Sequence, residues 1–331
     1  MSLKINERKL NYALAINEAL SQMMECDKGV FLIGQGVKSP WYVGQTCKDL
    51  IAKFGEHRVI DTPVSENAMT GAAVGAALSG MKVIAIHPRI DFLLYAIDPI
   101  INEAANWYYM NGGKLSVPVV FWPIINRGGE QGAQHSQALH AMFAHIPGLK
   151  VVMPADAYSA KGLMISAIRD PNPVVYIDDR WLYGEISNVP EEIYDVPIGK
   201  ARLVAEGKDI TIIAISYMVK EAELAVNELK KNKIEAELID IRTVKPLDVE
   251  SLIKSVSKTK RALVVDCGWK SFGVSAEISS IISENCFDLL KHPVRRLALP
   301  DCPAPASSEL EKEYYLTFYD IVKTVKEIFK K

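Results

Sequence analysis

The sequence predicts an α/β protein of two doubly wound domains, each a parallel sheet covered by helices on both faces, and three observations carry that prediction. Short runs rich in Val and Ile, such as GVFLIG (29–34), KVIAIH (82–87), PVVFWP (118–123) and RALVVD (261–266), alternate with longer segments of helical spacing. These runs are apolar almost throughout, as strands buried on both faces must be. The chain has 331 residues, long for a single core, and at 184–200 (GEISNVPEEIYDVPIGK) it carries two Pro, two Gly, an acidic cluster and no helical period, the natural place for a boundary.

Each element has its own justification. Leu10, Ala13, Ile16, Ala19, Leu20 and Met23 recur close to every 3.6 residues and predict an opening helix over 9–26. A strand at 29–34, a helix around 44–54 and the strand RVIDTP follow. A helix over 66–79 comes next, with Ser65 as its N-cap and side chains small enough to let a neighbour lie very close. Then come the strand 82–87, a helix around 92–111, the strand 118–123 and a polar loop at 126–137. LKVVMP (149–154), a helix at 156–169 and PVVYID (173–178) complete a first domain expected over 5–185, with a linker at 186–200. The second domain, 201–331, repeats the alternation: strands 209–216, 235–240, 261–266 and 294–299, and helices 218–231, 248–257, 272–285 and 308–330.

Composition excludes several classes of function. A formal net charge of −2 gives no electrostatic case for nucleic acid or an anionic membrane as partner. Hydrophobic residues at 49% indicate a large core or a sizeable subunit interface. Cys26, Cys47, Cys267, Cys286 and Cys302 are odd in number, scattered and without a CxxC pair, which fits a reducing compartment with neither zinc nor iron–sulfur sites. No apolar run is long enough to span a bilayer, and the N-terminal MSLKINERKLNY lacks the apolar core of a secretory signal, so a cytoplasmic location is expected.

Three positions could carry chemistry. Glu66 stands in the first turn of the small-residue helix, where a carboxylate is favoured by the helix dipole whether or not it has a further role. His135 lies in RGGEQGAQHSQ (127–137), a glycine-rich loop after a parallel strand, and is either an acid/base group or part of a surface loop. Phe92 opens an apolar helix and by itself reads as core. His140 and His145, near Phe143 and Pro147, read as structural. No GxxxxGK[ST], strand-linked GxGxxG or metal-ligand spacing is present.

Taken together, SEN with GAAVGAA (65–77), AIDPIINEAANWYYMNGG (96–113), QHSQ (134–137), HIPGLKVVMP (145–154), AKGL (160–163), AIRDPNPVV (167–175), PIGKA (197–201), IRTVKPLD (241–248), GWKSFGVSAEI (268–278) and DCPAPASSEL (301–310) resemble the β subunit of the E1 component of 2-oxo acid dehydrogenase complexes. The likeness is collinear over nearly the whole chain. It implies a thiamine diphosphate-binding (pyrimidine-type) domain followed by a transketolase C-terminal-like domain. It implies that Glu66 bonds N1′ of the cofactor's aminopyrimidine, that Phe92 stacks on that ring, and that His135 binds the 2-oxo acid carboxylate or assists transfer to a lipoyl acceptor. It further implies a potassium ion held by Asp170, Asn172 and the carbonyls of Ala167 and Ile168. Oxygen ligation suits such an ion.

The GDG…N motif that holds Mg²⁺ and the diphosphate in this superfamily is absent from the sequence. The resemblance therefore implies an α partner that supplies it, in an α2β2 tetramer with β–β contact, and a lipoyl acyltransferase as a further partner. The chain departs from the family at Ile86–Asp91, at Trp122–Gly128 and at Asp178–Gly184. Arg89 and Arg127 are new cations there, either solvated loop charges or anchors for a substrate carboxylate or phosphate. Pyruvate or a related 2-oxo acid is the expected substrate. A two-chain ketol transferase or acyloin-forming carboligase is the alternative, and a non-catalytic scaffold subunit is the alternative of another class.

Overall fold

The computed structural model describes residues 8–39 and 43–330; residues 5–7 of the expected first domain, and most of the N-terminal stretch MSLKINERKLNY, lie outside them. Two compact units result. One comprises residues up to Ile125 with His145–Ile198, the other Asn126–Ala144 with Gly199 onward.

The first unit opens with β1 (Lys9–Asn11) and α1 (Tyr12–Cys26), where the Asn11 side chain accepts the Leu14 N–H at 2.8 Å and sets the helix start. Then come β2 (Val30–Gln35), α2 (Leu50–Phe54), β3 (Val59–Thr62), α3 (Glu66–Leu78), β4 (Lys82–His87), α4 (Ala105–Met110) and β5 (Val119–Ile125). After α5 (His140–His145), which belongs to the second unit except for its last residue, follow β6 (Lys150–Val152), α6 (Ala157–Arg169), β7 (Val174–Tyr176), β8 (Asp178–Asp179) and β9 (Ile186–Asn188). β9 lies inside the expected linker and pairs antiparallel with β1.

The main sheet of this unit runs β6-β7-β5-β4-β2-β3 with parallel neighbours, and β2, β4 and β5 are buried almost end to end. β2 passes the chain outward to β3, and α3 returns it across β2 to β4. Strand order thus reverses between β2 and β4, and ligands of such sheets bind outside the carboxyl ends at that point.

Two expected helices are broken for local reasons. The helix around 44–54 is a 3₁₀ turn (Gly44–Cys47) and then α2, separated at Asp49, whose φ of +62° is left-handed. The helix around 92–111 divides into a 3₁₀ turn (Phe92–Ala96), a π-helical turn (Pro99–Ala104) and α4. Pro99 has no N–H and its ring crowds the carbonyl four residues back, so the α-ladder cannot run through it.

The second unit contains β10 (Arg202–Ala205), β11 (Ile210–Ala214), α7 (Met218–Lys231), β12 (Ala236–Asp240), β13 (Thr243–Lys245), α8 (Val249–Thr259), β14 (Ala262–Trp269), α9 (Val274–Cys286), β15 (Arg295–Leu299), α10 (Ser308–Tyr314) and α11 (Phe318–Lys330). Its sheet runs β10-β12-β11-β14-β15, with β10 antiparallel and the rest parallel. The expected final helix is two: Asp320 accepts the N–H and hydroxyl of Thr317 at 2.9 and 3.0 Å, a capping arrangement that starts a new helix at Phe318. Among the described residues, no helix is long and apolar enough to cross a membrane.

Candidate active site

Glu66 begins α3 at the carboxyl edge of the first unit's sheet, one short turn after β3. It is half-buried, and its carboxylate makes no hydrogen bond or ion pair with any described residue. Ser65 occupies the N-cap position, but its hydroxyl does not cap the helix as the sequence suggests. One turn further on, Thr70 Oγ1 lies 3.2 Å from Nε2 of His87 at the end of β4, with both side chains buried. Burial pushes the His87 imidazole down to about 3, so it stays neutral and this link between α3 and β4 is insensitive to pH in the ordinary range. α3 is thereby fixed one turn away from Glu66.

Beyond β4, the chain turns through Pro88 to Asp91, and the Ile90 N–H donates to the Ile124 carbonyl at 2.9 Å. Phe92 follows, half-buried at the head of the 3₁₀ turn and not enclosed as a core residue would be. Arg89 is half-buried and one guanidinium nitrogen returns to its own neighbour, the Pro88 carbonyl, at 2.9 Å. Glu66, Arg89 and Phe92 therefore share one edge of one sheet.

His135 and Arg127 lie in the second unit. His135 is half-buried, and its backbone N–H reaches the Gly132 carbonyl at 3.4 Å. Arg127 is only 5% exposed and its guanidinium carbon lies 5.7 Å from the centre of the Tyr217 ring. A solvated loop charge, one of its two expected readings, is therefore excluded.

The four groups expected to hold potassium gather at the end of α6. The Asp170 N–H donates to the carbonyls of Ser166 and Ala167 at 3.0 and 3.3 Å, and Asp170 Oδ1 accepts the Asn172 N–H at 2.9 Å. Its other oxygen receives Lys150 Nζ at 2.5 Å. Asn172 Oδ1 is buried without a hydrogen-bond partner among the described residues, and Ile168 is buried.

Two constellations escape sequence reasoning. Asp178, on β8, is fully buried and accepts the Tyr183 hydroxyl at 3.0 Å; burial pushes its carboxyl up to about 7. In the second unit His140 and Asp266, 126 positions apart, are both buried and joined at 3.0 Å, with the Cys267 thiol nearby. Only the unusual charge of DD after an apolar strand hints at the first. No local signal announces the second. His145, by contrast, is exposed at the end of α5.

The family model described as the transketolase pyrimidine binding domain matches residues 8–185, and the one described as the transketolase C-terminal domain matches 199–321. A pyruvate dehydrogenase E1 component subunit beta from Rickettsia felis is 40% identical over 314 residues, covering 95% of this chain and 96% of that protein. An acetoin:2,6-dichlorophenolindophenol oxidoreductase subunit beta from Cupriavidus necator is 42% identical over 93% of this chain and 94% of its own. A mitochondrial pyruvate dehydrogenase E1 component subunit beta-2 from Oryza sativa subsp. japonica is 42% identical over 94% and 84%. Among solved structures, a split-gene transketolase described as an inactive beta4 tetramer superimposes with a TM-score of 0.76 at 21% identity, covering 97% of this chain and 98% of that one, a likeness of fold. With both transketolase domains present in order and this identity sustained over nearly its whole length, the chain belongs to the thiamine diphosphate-dependent family of E1 component β subunits.

Proposed function

We propose that this chain is the β subunit of a thiamine diphosphate-dependent 2-oxo acid dehydrogenase, acting on pyruvate or a close relative, with Glu66 as the group that controls the cofactor's aminopyrimidine. The observation that carries the reading is the Glu66 carboxylate, half-buried, unpartnered among the described residues and fixed at the carboxyl edge of a sheet within the domain matched as pyrimidine-binding. A group in that state fits a ring nitrogen as partner. When bound, thiamine diphosphate supplies the nucleophilic carbon that attacks the 2-oxo carbonyl and takes up the electrons released with CO₂. Glu66 would exchange a proton with N1′, Phe92 would stack on the pyrimidine, and His135 would hold the substrate carboxylate or help pass the acyl group to a lipoyl acceptor. Arg89, on the same edge as Glu66 and Phe92, would meet an anionic substrate group; Arg127, over the Tyr217 ring, would position the start of the His135 loop.

The relatives' names, each a subunit beta, support an α-type partner bringing the Mg²⁺ and diphosphate site. The open face of α3 supports it too. Gly71 and Gly75 on that helix have nothing within 4 Å of where a side chain would begin. For potassium the fit is partial. Asn172 Oδ1 is available, but Lys150 already neutralises Asp170, so the ion would replace an ammonium group instead of filling an uncompensated site.

A second reading is favoured by the acetoin relative at 42% identity: the same site would cleave a hydroxyketone instead of decarboxylating an oxo acid. The test is to co-express the chain with an α-type subunit, add Mg²⁺ and thiamine diphosphate, and follow dye reduction with pyruvate and with acetoin. Reduction with pyruvate that disappears in Glu66→Gln supports the proposal, reduction with acetoin alone moves it to the second reading, and a cofactor-loaded complex inert with both refutes it.

A further inference from the structure

The loop that carries His135 is fastened at both ends to the second unit. At its start the Gly128 N–H donates to the Tyr315 hydroxyl at 3.2 Å, and the Glu130 N–H donates to Glu311 Oε1 at 2.9 Å. Glu130 Oε1 accepts the Ser308 N–H at 3.1 Å, which offsets the left-handed backbone at Glu130 (φ +61°). Gly132 follows in a left-handed conformation (φ +70°), beside Ala306 at ordinary contact distance. At the far end His140 is 1% exposed, and its Nε2 donates to Asp266 Oδ1 at 3.0 Å.

Asp266 is built to receive that bond. It sits within β14, fully buried; Oδ1 also accepts the Gly268 N–H at 2.9 Å, and Oδ2 accepts the Ser275 N–H at 3.0 Å in the first turn of α9. Burial alone would push its carboxyl up, but His140 and the two N–H groups outweigh that and hold it below the usual range. It is therefore an acceptor, and Nε2 must carry the hydrogen. Gly268 completes the socket: a Cβ there would fall 2.9 Å from His140 Cε1 and 3.3 Å from the Ala138 carbonyl.

We propose that the His140–Asp266 pair is a positioning element for the active site, which locks the end of the loop and so fixes where His135 meets substrate. The proposal rests on the reading of His135 as the substrate-handling group. β14 and α9 then set the geometry of a group that acts on substrate. A metal reading of the same place fails. Donor atoms of His140, Asp266 and Cys267 lie within 4.8 Å of one another. Both oxygens of Asp266 already accept N–H groups, however, and a cation would have to displace His140 and face two N–H dipoles aimed at it.

The experiment is a double-mutant cycle on the complex with its α-type partner, Mg²⁺ and thiamine diphosphate. His140→Leu should lower kcat roughly 10- to 100-fold, the scale of a small misplacement of a reacting group. Cofactor affinity should change by less than about twofold, since Glu66 and Phe92 are untouched. His140→Gln, whose amide can donate to Asp266 from nearly the same point, should recover most of the loss. In a His135→Ala background His140→Leu should cost less than about threefold, because its effect passes through a group already removed. The same factor in both backgrounds, or no recovery by Gln, overturns the inference. Should His140→Leu fail to fold, Asp266→Asn, which keeps the shape, carries the same comparison. Normal turnover in His135→Ala brings down the underlying reading instead. In that case unchanged hydrogen exchange at residues 128–139 in His140→Leu rejects the locking itself, and faster exchange supports it.

Discussion

Asp178→Asn should make the protein more stable at pH 8 than the wild type and no more stable at pH 4. Asp178 is fully buried on β8, and burial raises its carboxyl from the ordinary 3.8 to about 7 against the opposing influence of the Tyr183 hydroxyl and the Arg180 guanidinium; Asp179 adds a little to the rise. Between those two values the unfolded chain has lost the proton while the folded chain keeps it. The folded state then binds more protons, so stability falls as pH rises through this window. Below it both states are protonated and nothing is lost; above it both are ionised and the loss is complete. A shift of this size corresponds to about 4–5 kcal/mol at about 1.4 kcal/mol per pH unit. Asn has the shape of the protonated acid and an oxygen that can still accept from Tyr183, which bonds Asp178 at 3.0 Å. The variant should therefore omit this fall. Urea unfolding of both proteins at pH 4, 5, 6, 7 and 8 measures it. The difference between the two should grow steadily from pH 4 to 7 and then level off. Parallel profiles would mean that the carboxyl titrates normally and that its burial is relieved by water or by local opening.

Further changes test other parts of the fold. Lys161 is fully buried, with Nζ 2.6 Å from Glu18 and 2.7, 3.1 and 3.0 Å from the carbonyls of Pro190, Glu191 and Glu192. In Lys161→Met, Glu18 keeps Arg8 and the Glu191 carbonyl keeps Gln22, but the carbonyls of Pro190 and Glu192 lose their donor; the variant should cost about 2–4 kcal/mol in chemical denaturation, and a loss under about 1 kcal/mol would show that the segment 190–192 finds other donors. Lys150→Ala frees Asp170 beside the open Asn172 oxygen, so the variant's Tm should rise when potassium replaces sodium while that of the wild type does not; equal responses would remove the potassium site. A Cβ at Gly71 meets no described residue within 4 Å beyond its own helix, so in Gly71→Leu thermal unfolding of the isolated subunit should be unchanged or slightly improved, whereas co-purification with the α-type partner should be lost. Retained assembly would mean that α3 presents its open face to solvent.

What the sequence makes legible, and what it hides, divides by range. Strands such as 82–87 and the helix 218–231 are read from their own residues, because continuous Val and Ile runs and a clean 3.6-residue period are local signals. The breaks at Asp49, Pro99 and Thr317 are also local, but each overrides a longer pattern through a single backbone constraint. β10 and β13 are short, and β10 is only half-buried, so neither carries a period strong enough to announce a strand. Glu66 and His135 stand out within recognisable motifs. The partners that fix their surroundings do not, since Thr70 with His87, Arg127 with Tyr217 and His140 with Asp266 are joined by the topology across 17, 90 and 126 positions. The two readings of Arg127 could be separated only by its burial on Tyr217, a contact invisible to composition or spacing.

α3 connects these levels. Its buried side (Met69, Thr70, Ala73, Val74, Ala77) packs within the first unit, and a helix with that stripe alone would already be anchored. Its other side carries Ala68, Gly71, Ala72 and Gly75, all exposed. Each glycine in a helix interior costs about 0.5–1 kcal/mol relative to alanine, and none of the described residues approaches closely enough to require two of them. Tyr95 and Tyr109 extend the same unit's exposed apolar surface, at 74% and 88%. A small-residue face of this kind suits the close approach of another backbone, which the missing GDG motif independently calls for. Glu66 stands at the head of that helix. The carboxylate proposed to control the cofactor is therefore attached to the element that an α-type chain would cover, and cofactor activation and subunit assembly become two consequences of one helix.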